Sequence, residues 1–254
     1  MHETKIRTYA GVGILMFLVL AATPDETRAQ VQSQPRQFTV PTVPSAPPQQ
    51  ARERAGSKFV IGRIKYDGGG DWYNDPSSEL NMLRFLKENS SIDVDVRSEV
   101  FVEVGSEKLF SYPFVFMTGH GNIRLSDREA ANLRNYLENG GFLYVDDDYG
   151  FDKAFRREIK KVFPDRELVE LPFDHGIYHT HFPFPNGLPK IHEHDEKAPQ
   201  GFGIFHEGRL VLFYTYESNL ADGWADPDVH KDPEEIRRKS LQMGMNIIVW
   251  ALTR

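Results

Sequence analysis

Two apolar runs too short for helices, PFVFMTG at 113–119 and FLYVDDD at 142–148, flank a helical stripe, and that alternation restricts the architecture more than any other feature of the chain. Between them, Ser126-Asp-Arg-Glu129 forms a capping box, Ala130, Leu133 and Leu137 recur at helical spacing, and Gly140-Gly141 ends the helix. The same rhythm extends both ways. FVIGRIKY (59–66) and IDVDV (92–96) read as strands, with a helix between them that opens at Asp75-Pro76 and runs to about Asn89. Asp152 to Phe163 reads as a helix stopped by Pro164, and ELVEL (167–171) as a strand. Residues 172–200 are rich in Pro, His and Gly and read as irregular. GFGIFHEGRLVLFYTYE (201–217) reads as a hairpin turning at Glu207-Gly208, and Asp232-Pro233-Glu234-Glu235 caps a final helix whose Ile236, Met243, Ile247 and Trp250 face the core. Strands alternating with helices imply a mostly parallel sheet with helices on both faces. Apolar strands such as FVFMT fit burial on both sides. The expected fold is therefore three-layer α/β of flavodoxin-like style, ending in a β-hairpin and a helix.

The amino-terminal part reads differently. Lys5 and Arg7 precede the apolar stretch Tyr9 to Ala22, and Thr27-Arg28-Ala29 offers small residues before Gln30. This is the pattern of a signal peptide over 1–29, cleaved after Ala29, with an uncleaved anchor as the alternative. The apolar run is short for a membrane span, so no stable span is expected after cleavage. Residues 30–57 are rich in Pro, Gln and Ser and read as a disordered tether, leaving 58–254 as one α/β domain. Export would place the protein in the periplasm or outside, away from nucleotide cofactors. The chain has no cysteine, which excludes a lipid-anchored lipoprotein, disulfides and a thiol nucleophile. A net charge of −7 argues against a nucleic-acid partner.

Ligands of open parallel sheets bind beyond the carboxyl ends of the strands, so the loops there carry most weight. In YDGGGDWYNDP (66–76), Gly68, Gly69 and Gly70 permit close backbone approach, while Asp67 and Asp71 would repel phosphate. A sugar or a metal suits this loop better, with Trp72 and Tyr73 as stacking faces. The bland reading is a tight turn with Asp75 as helix cap. In TGHGN (118–122), Gly119 and Gly121 bracket His120 on a sharp turn, where it is a candidate general base or ligand; otherwise it caps the next helix. In VDDDYG (145–150), alternation puts Asp146 and Asp148 on one side and Asp147 on the other, and one of them is expected to cap the following helix. Carboxylates this close raise at least one pKa unless a cation intervenes. If the two strands pair, His120 and Asp146, Asp147 and Asp148 share one rim as the candidate catalytic constellation.

Two further segments bear on metal. IHEHD (191–195) would place His192 and His194 on one side of an extended strand, where they could supply two ligands of a divalent cation, although no zinc motif of known spacing is present. As alternatives, this segment lines the rim around an organic ligand or is ordinary surface. In ESNLADGWADPDVHKDP (217–233), Asp222, Asp226, Asp228, His230 and Asp232 match a calcium loop poorly; Asp232 reads better as a helix cap, and Trp224 as a rim residue that stacks on ligand or packs over the sheet.

YDGGGDWY (66–73), TGHG (118–121), GGFLYVDDD (140–148), FPDREL (163–168), LPKIHEH (188–194) and DGW (222–224) together resemble the bacterial family called domain of unknown function 4159, over about Phe59 to Arg254. That resemblance implies a class I glutamine-amidotransferase-like or trehalose-utilisation-like fold. Asp174-His175-Gly176-Ile177 followed by Gly187-Leu188-Pro189 is similar to a D-H-P-I … G-L-P pattern of the latter group, with Gly176 where that pattern has proline. It carries over no catalytic residues, and amidotransferase chemistry is excluded because its cysteine nucleophile is absent. The leading expectation is an exported protein binding a carbohydrate or another polar cell-envelope molecule at the rim, through Asp67, Gly68, Gly69, Gly70, Asp71, Trp72, Tyr73, Gly119, Gly121, His192 and Trp224. Its rivals are a metal-dependent hydrolase using the Asp/His rim and a non-catalytic protein that binds an envelope partner.

Overall fold

Strands β3 (Phe114–Met117) and β4 (Phe142–Asp146) are buried along their whole length and pair in parallel, Phe114 opposite Phe142 and Phe116 opposite Tyr144. In the computed structural model, which describes residues 58–254 except Ser98 and Glu193, they form the middle of a seven-stranded sheet. The signal-peptide and tether readings of 1–29 and 30–57 lie outside the described residues. The strand order is β2-β1-β3-β4-β7-β6-β5, with β1 Gly62–Lys65, β2 Val100–Glu103, β5 Val169–Glu170, β6 Gln200–His206 and β7 Arg209–Tyr216. Strands β2, β1, β3, β4 and β7 run parallel, and β6 lies antiparallel to β7, which returns from it through Glu207-Gly208, both at positive φ as a tight two-residue hairpin requires.

Alternation along the buried strands divides the core into two layers. Val115, Met117, Leu143 and Val145 face helices α2 (Asp127–Glu138) and α3 (Asp152–Val162). Phe114, Phe116, Phe142, Tyr144 and Phe213 face α1 (Ser78–Asn89), α4 (Leu220–Trp224) and α6 (Glu234–Thr253), with α5 (Pro227–His230) joining the last two. On that second face the rings of Phe116, Tyr144 and Phe213 stack across three strands, at 5.3 and 6.3 Å between centroids. The fold is the expected α/β class, with flanking helices, a carboxyl-terminal hairpin and a long last helix. The chain turns outward from β1 to β2 and then crosses back to β3 on the other side of β1. This reversal leaves a crevice between the carboxyl ends of β1 and β3, where such sheets admit ligands.

Three local expectations are corrected. IDVDV forms no strand: only Val94 bridges Phe59, and Val100–Glu103 takes the edge instead. Asp95 accepts bonds from the backbone and guanidinium of Arg97, which turns the chain away before the sheet resumes. Helix α1 begins at Ser78, not Pro76, because Asp75 sits at φ 45° and sends its carboxylate to His230. Helix α6 has Pro233 as its N-cap; Asp232 does not cap it but accepts from His192. The capping box at Ser126 forms as expected.

Candidate metal centre

The loops after β1 and β3 are zipped together. Arg124 N–H donates to Asp67 O and Gly70 N–H to Asn122 O, at 2.7 and 2.8 Å. A Cβ at Gly68 would lie 2.6 Å from the Arg124 backbone, and one at Gly70 2.7 Å from two carbonyl oxygens, so both glycines serve this close approach. Gly119 packs against the Tyr66 hydroxyl, and Gly121 is open to solvent space. Asp67, Gly68 and Gly69 border a shallow cleft with Asn122 and Arg124.

From this zipper Asp71 and Asn74 reach inward. Asp71 accepts from His120 twice, from the backbone N–H at 2.5 Å and from ring Nδ1 at 3.0 Å. Burial alone would raise the Asp71 pKa, but the bonds from His120 outweigh it and the net shift is downward. His120 Nδ1 also lies 3.3 Å from Asp148 Oδ2, because β3 and β4 are neighbours and their loops end on one rim.

Beneath the 72–75 turn lies Arg63 of β1, a buried guanidinium. It pairs with Glu79 of α1 and donates to the carbonyls of Trp72, Asn74 and Asp75. A carbonyl-rich turn with few backbone partners of its own is thereby fixed, and Asn74 and Asp75 with it.

The three aspartates at the carboxyl end of β4 divide as alternation predicts. Asp147, on the α2/α3 side, accepts from Phe151 N–H at the start of α3, and burial pushes it up to about 6. Asp146 and Asp148 point to the other side. Asp146 accepts from Thr215 Oγ1 and from Ala221 N–H at 2.7 Å; burial pushes it up to about 7. It anchors the first turn of α4. Asp148 is the one that enters the cluster, accepting from Asn74 and Asn219 and lying close to the His120 ring. Its pKa is raised strongly, first by burial and then by Asp222.

The loop 217–232 closes the site from above. Asn219 adopts the left-handed conformation (φ 57°, ψ 51°) that asparagine tolerates, and its amide bridges Asp148 and Asp222. Asp222 Oδ2 lies 2.6 Å from His192 Nδ1, and Asp222 Oδ1 lies 3.7 Å from His230 Nε2. His230 Nε2 is also 2.7 Å from Asp75 Oδ1. His192 Nε2 rests 2.9 Å from Asp232 Oδ1, so both its ring nitrogens face carboxylates, and the bond to Asp222 leads in pushing it up to about 9.

Two sets of donor atoms result: His192, Asp222 and His230, and Asp75, Asp148 and Asp222, each set lying within 4.8 Å. With metal–ligand bonds of about 2.0–2.2 Å, ligands of one cation lie at most roughly 4.4 Å apart, so each set needs only small movements. Asp222 Oδ1 and Asp232 Oδ2 are buried without a hydrogen-bond partner. Such atoms are costly unless something engages them.

Other expected residues are placed elsewhere. Trp224 is 0% exposed, packed against Phe116 and Tyr144 with its indole N–H on Ser240 O, and has no free face to stack on a ligand. Trp72 and Tyr73 cluster with Phe101 on the edge strand. His194 does not join His192, because the segment is not an extended strand and their rings are 6.3 Å apart at 83°; it stacks on Tyr149 instead. Tyr149, His194, Lys197 and Tyr216 border a cleft of about 350 Å³ that meets the cluster at Asp148 and Asn219. The sequence reading missed Arg63, Asn74 and Asn219 outright. It gave Asp75 and Asp232 local capping roles and placed Asp222 and His230 in a calcium loop of their own.

A family model described as Domain of unknown function (DUF4159) matches residues 60–252, which carry every residue of this cluster. The chain belongs to this family. No curated protein matches it. The rim residues of this DUF4159 domain that match the resembling motifs, Asp71, His120, Asp148, His192 and Asp222, converge in one place, although the motifs lie up to 151 residues apart.

Proposed function

We propose that this domain is a divalent-metal-dependent hydrolase, its cation held by His192, Asp222 and His230. The observation that carries this reading is Asp222: a buried carboxylate between two histidines, with one oxygen unpartnered. His192 has the further feature of ligating histidines, a second nitrogen bonded to a carboxylate, here Asp232. Two histidines and one carboxylate suit zinc or manganese and leave further positions for water and substrate. The cation would act as a Lewis acid and lower the pKa of a bound water.

His120 is the group that moves the proton. Its Nδ1 is occupied by Asp71 and Asp148, which leaves Nε2 of the neutral ring as the acceptor. With the ring half exposed at the mouth of the site, water's proton passes to Nε2 as its oxygen bonds to the electrophilic centre. The same proton then goes to the leaving group as the scissile bond breaks. Asp71 orients the ring.

A second reading, in which the rim binds a carbohydrate or another polar envelope molecule without reaction, is favoured by the cleft beside Asp148. Its Tyr149 and Tyr216 supply apolar faces among carboxylates and lysines. We place the protein in the envelope on the strength of the leader-like stretch from Lys5 to Ala29.

The test is elemental analysis of the untagged full chain beside His192→Ala/His230→Ala, with a panel of chromogenic ester, phosphoester and glycoside substrates assayed with and without chelator. Bound transition metal lost in the double variant, and chelator-sensitive turnover, are expected. A metal-free, folded wild type that turns over nothing after loading with zinc or manganese would overturn the reading and favour the binding one.

A further inference from the structure

Building on the hydrolase reading, we infer that the centre holds two divalent cations that share Asp222, the second one bound by Asp75 and Asp148. The motivation is a count of charge. The side chains of Asp75, Asp148, Asp222 and Asp232 are 6%, 4%, 3% and 8% exposed, and the partners they show are histidines and amides. Ionised, they carry four negative charges in a space nearly closed to water. One divalent cation neutralises half of that; two neutralise it fully and leave both histidines as neutral ligands.

Geometry points the same way. The two donor sets overlap only in Asp222. Its Oδ2 faces His192, whereas its unpartnered Oδ1 faces the side where His230 Nε2 also touches Asp75 Oδ1, a donor of the second set. A carboxylate so placed is suited to bridging two cations, which in two-metal sites lie roughly 3.5–4 Å apart. The donor chemistry of the sets differs. Two histidines and one carboxylate favour zinc, whereas three carboxylates favour a harder cation such as magnesium or manganese. Asn74 and Asn219 donate to the carboxylates of the second set, and Asp75 is held through the Arg63 bond to its carbonyl. Asp75 and Asn219 both occupy left-handed backbone, at φ 45° and 57°. Such conformations persist at non-glycine residues where the surroundings enforce them, commonly at functional sites.

The experiment strips the untagged full chain with chelator, reloads it with Mn²⁺ alone, and reads two quantities: manganese per chain, and the electron paramagnetic resonance spectrum. Expected are two Mn²⁺ per wild-type chain with an exchange-coupled spectrum. Asp75→Asn and Asp148→Asn, made separately so that one misfolded variant does not decide the matter, should each retain one Mn²⁺ with an uncoupled spectrum. A wild type that binds a single Mn²⁺ overturns the shared centre and leaves the one-cation reading standing. Two Mn²⁺ without coupling also overturn it, since the cations would not share Asp222. No bound Mn²⁺ at all overturns the shared centre as well.

Discussion

His192 and Asp222 are joined by a 2.6 Å contact between Nδ1 and Oδ2, and the opposite nitrogen of the same ring lies 2.9 Å from Asp232. In the metal-free protein this makes His192 an imidazolium held between two carboxylates, with its pKa raised to about 9 chiefly by the bond to Asp222.

The metal-free protein should therefore lose stability as the solution becomes alkaline. Because the folded value lies above the unfolded one, near 6.5, the interaction stabilises the protein fully below pH 6.5 and is lost as pH rises through 9. After discounting for solvent around a ring that is 26% exposed, the change is on the order of 1–2 kcal/mol. Thermal melts of the chelated protein should show it, and His192→Gln should flatten the decline between pH 6.5 and 9. Parallel declines in both proteins would exclude His192 as the cause.

Cation binding should have the opposite dependence on pH. Coordination by His192 displaces a proton, so apparent affinity should rise about tenfold per pH unit from 6.5 towards 9 for each proton released. Asp148, raised by burial and by Asp222, adds to that release. Competition against a chromophoric chelator at several pH values measures the slope; a flat profile would contradict His192 as a ligand.

His120→Ala should lower kcat by about 10²–10⁴-fold while leaving the bound metal in place. Asp71→Asn should have a smaller effect of the same kind, since Asp71 acts through the ring it orients. Loss of metal in either variant would instead make His120 part of the coordination.

Arg63→Met should cost about 3–5 kcal/mol, because it strands Glu79 as a buried unpaired carboxylate. It also frees the carbonyls of Trp72, Asn74 and Asp75, so cation binding by Asp75 should weaken more than binding by His192 and His230. Chemical denaturation and metal titration of one sample separate the two effects.

Trp224→Ala should cost about 3–5 kcal/mol, as the truncation of a buried aromatic does. Tyr149→Ala, at a half-exposed ring beside the cleft, should change stability by no more than about 0.5 kcal/mol yet weaken any ligand bound there. The pair distinguishes support of the rim from contact with a ligand.

Much of the fold was legible because β3 and β4 bury both faces and therefore read as unbroken apolar runs, with the capping box at Ser126 marking the helix between them. The meeting of His120 with Asp148 followed from the same alternation, as did the separation of Asp147 from Asp146 and Asp148. The rest of the cluster was not legible. Asp75 and His230 are 155 positions apart, and Asp148 and Asn219 are 71 apart. Their approach depends on the path of the loop 217–232, which has no period to read. Asp75 and Asp232 each precede a proline at a helix start, so local rules assign them as caps; in the fold, tertiary partners outcompete that local role.

The metal donors of the cluster come from four separate segments, spread from Asp75 near the start of the domain to His230 near its end. No segment shorter than residues 75–230 contains all the metal donors, and α6 packs on α4, which carries Asp222. A cation in this centre would thus work as a fastener of the folded domain: it could be gripped only once these distant segments have packed together, and its release should coincide with unfolding of the whole domain rather than with fraying of any one part.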